Sequence, residues 1–168
     1  DLYREMIFPY QKRLFDFIAS FGKHLIYHSC GAVRPLIPDL LEAGVRILHP
    51  IQRSACGMDP LSIKREFGRD LTLWGAGCDT AFLQQASPAE VVDDVVATLD
   101  ALGGDGGFVY TPTHCIQPET NPRNILAMAG VLRGFRAPRG HELDWLESVD
   151  WLHASDNVVV ISHCEESP

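Results

Sequence analysis

Histidine and cysteine recur in this chain at spacings that suit chemistry. His28 and Cys30 stand two apart at the end of an apolar run, HLIYHS (24–29), and His114 and Cys115 are adjacent just after another, FVYTP (108–112). On a β-strand alternate residues point the same way, so His28 and Cys30 can face one centre, whereas only one of His114 and Cys115 can join it. Imidazole and thiolate together suit zinc, bound at about 2.0 to 2.3 Å; three protein ligands with one open position is the catalytic form of such a site. Gly31 lets the backbone turn sharply beneath an ion. The competing reading of the same spacing is a hydrogen-bonding histidine beside a small buried cysteine.

Asp79 follows Gly77 and Cys78 in a glycine-rich turn. A carboxylate there can act on a proton or orient a ligand, and it can equally be a turn or capping residue. Gln52 and Gln117 are candidate polar contacts to a substrate. Cys56 reads as packing or loop, and Glu90, Asp93 and Asp94 as the solvated face of a helix. His163 and Cys164 follow a β-like run, Val158 to Ile161, and imitate the other strand ends.

The elements that must position these residues alternate helix and strand. Helices are expected over Pro9 to Phe21, with Leu14, Phe17, Ile18 and Phe21 on one side, over Val33 to Ala43, and over Pro60 to Phe67. A further helix runs from Pro88 to about Leu102, where Ser87, Pro88 and Glu90 form a capping-box start, and another begins at Asn121-Pro122. A buried strand is expected at His24 to Ser29, and further strands at Val45 to Ile51, Leu71 to Ala76 and Phe108 to Thr111. Four such strands imply parallel β-α units, in an open doubly wound sheet or in half of a barrel. In either, ligands bind beyond the C-terminal ends of the strands. Those ends are His28 to Gly31, His49 to Gln52, Gly75 to Asp79 and Thr113 to Cys115.

Composition narrows the function. The formal net charge is -8, which opposes a nucleic-acid surface, since phosphate binding needs clustered Lys and Arg. No apolar run reaches the roughly 20 residues that span a bilayer. The five cysteines are irregularly spaced in a chain that is 46% hydrophobic, which fits thiols in a reducing cytoplasm better than a disulfide scaffold. The 168 residues suffice for a domain and fall short of the roughly 250 of a full eight-unit barrel.

Three segments together resemble the superfamily of uroporphyrinogen decarboxylase and the corrinoid-dependent methyltransferases. HSCGAVRPLIPDLLEAGVRILHPIQ (28–52) is similar to the segment that supplies a His-x-Cys zinc pair, LTLWGAGCDT (71–80) to a Trp-Gly strand followed by an Asp, and GGFVYTPTHCIQPETNPRNILAM (106–128) to the last barrel strand with its His or Cys loop and Pro-x-Asn-Ile helix start. The resemblance implies an α/β fold, the C-terminal half of a (β/α)8 TIM barrel. Residues 1–132 would be the partial barrel and 133–168 an atypical tail, with Trp145, Trp151 and a fifth strand near Val158 to Ser162.

The activity it implies is a zinc-dependent methyltransferase moving a methyl group from a corrinoid protein to a thiol. His28, Cys30 and either His114 or Cys115 would hold zinc, Asp79 would orient the acceptor or its proton, and Gln52 and Gln117 would contact substrate. The alternatives are a cofactor-free decarboxylase acting on a tetrapyrrole in porphyrin biosynthesis, which does not use the His-x-Cys pair, and a non-catalytic tetrapyrrole- or corrinoid-binding fragment. Half a barrel also leaves open strand edges, so the chain is expected to aggregate or to form a homodimer unless the N-terminal half of the barrel covers it.

Overall fold

The computed structural model describes residues 2–133. The tail expected from 133 onward, with Trp145, Trp151, the strand near 158–162, His163 and Cys164, lies outside the described residues but for Arg133. Two short helices open the chain, α1 (Leu2–Met6) and α2 (Phe8–Ala19), and Pro9 sits in the first turn of α2, where its missing N–H is not needed. Strand β1 (Ile26–His28) follows. A 3-10 turn at Arg34–Leu36 then leads into α3 (Ile37–Glu42), the split expected where Pro35 and Pro38 interrupt one helix.

Next come β2 (Ile47–His49), α4 (Pro60–Phe67), β3 (Thr72–Trp74), α5 (Thr80–Gln85), α6 (Pro88–Leu102), β4 (Phe108–Val109) and α7 (Pro122–Leu132). Asp59 caps α4 by accepting from the Ser62 N–H at 2.7 Å, and Asn121 caps α7 from the Arg123 N–H at 3.0 Å. The composition of 2–6 and 80–85 gave no sign of α1 and α5, both shorter than two turns.

The four strands form one parallel sheet in the order β1-β2-β3-β4. Sequential order without a reversal is consistent with part of a barrel; a doubly wound sheet reverses at a switch point. The strands are shorter than the runs that announced them. Pro50 has no N–H to continue β2, and Gly75, at φ 78°, turns the chain out of β3. Single bonds carry the pairing onward, from Ser29 N–H to His49 O at 2.9 Å and from Gly77 N–H to Thr111 O at 3.0 Å.

The described chain divides into two compact units, 2–79 with Thr98–His114, and Thr80–Ala97 with 115–133. The first holds the sheet. Ile37, Leu40, Leu48, Ile51, Ile63 and Leu73 are fully buried around it. Asp39 is 7% exposed there, its carboxylate bound by the Arg4 guanidinium of α1. The second unit packs Leu83, Val91, Val95, Ala127 and Met128.

One expectation about burial fails in the first unit. HLIYHS is not a buried strand: Ile26 is 47% exposed and His28 is exposed, because among the described residues β1 pairs with β2 alone and lies at the sheet edge. Leu14, Phe17 and Phe21, expected on one side of the first long helix, are exposed, and α2 docks through Phe15, whose ring meets Tyr27 edge-on at 5.8 Å.

Candidate functional site

The parallel register sets the candidate site. His28 is the last residue of β1 and stands beside His49, the last of β2. Their rings lie 4.9 Å apart, and the two Nδ1 atoms are 2.8 Å apart, a hydrogen bond in which one ring donates. The other nitrogen of His28, Nε2, faces the Cys30 sulfur at 3.4 Å. His114, after β4, brings its Nδ1 to 3.9 Å from the same sulfur. Gly31, at φ 86°, makes the turn that follows Cys30.

His49 is wedged more deeply than its neighbours. Trp74 meets its ring at 6.5 Å and 90°, and a Cβ on Gly75 would lie 2.8 Å from His49 Cδ2, so only glycine leaves room for the imidazole. Burial lowers the pKa of His49, and the nearby His28 and His114 lower it further.

A second group of polar contacts runs beside the first. The Gly31 N–H donates to Gln52 Oε1 at 2.8 Å, Gln52 Nε2 donates to Ser54 Oγ at 3.4 Å, and the Ser54 hydroxyl donates to Asp79 Oδ2 at 2.8 Å. Gln52 therefore fastens the loop after Cys30. Asp79, at the residue before α5, is held from the loop after β2. Cys115 and Gln117 belong to the second unit, where both are exposed and Gln117 Nε2 donates to the Cys115 carbonyl at 3.1 Å.

The donor set bears on zinc pair by pair. Tetrahedral ligands at zinc distances stand about 3.5 Å apart, and Cys30 Sγ lies 3.4 Å from one imidazole nitrogen and 3.9 Å from another. Among the described residues, no three His, Cys, Asp or Glu side chains are already closed around one point. The two pairs share the Cys30 sulfur. The chemistry of the donors, one sulfur and imidazole nitrogens, fits zinc. No disulfide joins the described cysteines.

The reading of the sequence placed His49 at a strand end without its partner His28, and it passed over Ser54. The signal for His49 was present: two strand-end histidines in adjacent parallel strands, 21 residues apart, meet if the strands are aligned by their ends. Ser54 carried no signal, because its contact with Asp79 depends on how two loops fold over the sheet. No described helix is long and apolar enough to cross a membrane.

No curated protein matches the chain. The family model described as Uroporphyrinogen decarboxylase (URO-D) matches residues 1–135, a span that contains every strand of the sheet and every residue of the His-Cys cluster, and on that match the chain belongs to the uroporphyrinogen decarboxylase family.

Proposed function

We propose that this family member is the C-terminal half of a (β/α)-barrel enzyme, with residues 1–132 as its barrel part, and that it works as a zinc-dependent methyltransferase. A corrinoid protein would present the methyl group and a small thiol would accept it. The observation that carries the reading is the Cys30 sulfur facing imidazole nitrogens of His28 and His114 at the C-terminal ends of parallel strands. The end of the family match at residue 135 supports the boundary near 132.

His28, Cys30 and His114 would hold the metal; Cys115 remains the alternative third ligand. Zinc, when bound, supplies a cation that favours the thiolate form of the acceptor. The chain's own part is positional. Gln52 fixes the backbone after Cys30, and Ser54 fixes the Asp79 carboxylate, leaving Asp79 to orient the acceptor or take its proton. Gln117 would contact substrate.

Metal analysis tests the reading. The folded chain is expected to bind about one equivalent of zinc from supplemented buffer, with three protein ligands and one open position, and Cys30→Ala is expected to lose it. A wild-type chain that is folded and takes up no zinc from supplemented buffer overturns the proposal. The second reading is cofactor-free decarboxylation of a tetrapyrrole, which the family match supports equally. That reading expects Cys30→Ala to keep full decarboxylase activity.

A further inference from the structure

The His28–His49 contact has no place in that ligand set. A histidine has two ring nitrogens, and a neutral ring carries its hydrogen on only one. A metal takes the lone pair of the other. The hydrogen bond made by the far nitrogen therefore decides whether the ligand nitrogen is ready.

We infer that His49 is a positioning residue for the proposed zinc site: it accepts a hydrogen bond from His28 Nδ1–H and so keeps the Nε2 lone pair of His28 turned toward Cys30. The inference rests on the zinc reading above and adds a residue to it. Its grounds are geometric. The Nδ1 atoms are 2.8 Å apart, and His28 Nε2, 3.4 Å from the Cys30 sulfur, is the only ring nitrogen of His28 left for a metal shared with that sulfur.

His49 is also built to stay where it is. The ladder holds its backbone, since its carbonyl accepts from the Ser29 N–H at 2.9 Å. Trp74 meets one side of the ring edge-on. The missing side chain of Gly75 is the space that the ring occupies, for a Cβ there would come within 2.8 Å of it. His28 and Cys30, by contrast, are exposed at a sheet edge. A ring fixed by packing thus orients one that packing does not fix, the usual division of labour between a metal ligand and the group behind it.

The test reads the tautomer of His28 and the zinc affinity separately. In the metal-free full chain, ring 15N shifts from NMR are expected to show His28 with its hydrogen on Nδ1. Zinc affinity, by chelator competition, is expected to fall about 10- to 100-fold in His49→Leu and to recover most of that loss in His49→Asn, whose Oδ1 reaches the position of Nδ1. His28 found with its hydrogen on Nε2 overturns the inference, and so does His49→Leu binding zinc as tightly as wild type. If His49→Leu fails to fold, the wild-type tautomer decides alone. A wild-type chain that binds no zinc yet holds His28 as the Nδ1–H form overturns the zinc reading and upholds the orienting contact.

Discussion

At the scale of single residues, the structure supplies partners that the sequence left open. Gln52 read as a substrate contact and Asp79 as a catalytic or capping carboxylate; both are engaged within the loops, Gln52 with Gly31 and Ser54, and Asp79 with Ser54. Asn124 is the clearest case of a role invisible in the sequence. It sits in the first turn of α7, fully buried, and its Nδ2 donates to the carbonyls of Leu83 and Ala86 at 2.8 Å each. Leu83 lies in the last turn of α5 and Ala86 directly follows its end, where carbonyls have no partner within the helix. Asn124→Ala leaves them unsatisfied and is expected to cost about 2 to 3 kcal/mol, the penalty for abandoned buried hydrogen-bond groups. Urea denaturation measures it, and an unchanged midpoint would contradict the role.

Among the elements, the best-foreseen helices are those with chemical ends. The expected spans Pro60 to Phe67 and Pro88 to Leu102 match α4 and α6, because Asp59 and Ser87 with proline after them define where a helix begins. In α6 the Ser87 N–H and hydroxyl both donate to Glu90, at 2.7 and 2.8 Å, and the Glu90 N–H reaches back to Ser87 Oγ at 3.4 Å. These bonds favour the ionised carboxylate, so Glu90 is held below its ordinary pKa of 4.5. A depressed acid stabilises the fold above its unfolded pKa, and the contribution is lost as pH falls through the depressed value. Wild type is therefore expected to lose more stability than Glu90→Gln when pH is lowered from 7 to below 4.5. Parallel losses in the two proteins, followed by urea midpoints across that range, would refute the capping role.

For the molecule as a whole, apolar surface is the governing fact. Tyr10, Leu14 and Phe17 recur at helical spacing along α2, with Ile7 before it and Phe21 after it, and all five are exposed, Phe17 at 62%; Ile26 on the edge strand is exposed as well. Exposed apolar side chains at helical spacing and an unpaired sheet edge are surfaces that seek cover. The chain is expected to associate with itself as concentration rises through the micromolar range, and Phe17→Glu to weaken that association while preserving the helical signal. Sedimentation velocity reads both. A wild-type monomer throughout would show that this surface is stable in water.

The sequence by itself determined the alternation of helix and strand, the capped helix starts and the family, since hydrophobic periodicity, capping residues and motif spacing are local properties. It also kept His28 and Cys30 close together beside the end of β1, because a two-residue separation is itself a local constraint. Tertiary structure decided the rest. That His28 meets His49 depends on strand register, and that His114 reaches Cys30, 84 positions earlier in the sequence, depends on the path of the loop after β4. Which face of α2 is buried was decided the same way. Leu14, Phe17 and Phe21 carry the apolar periodicity, yet Phe15 makes the contact with Tyr27, because periodicity records where apolar side chains lie on a helix and only packing records what stands opposite them.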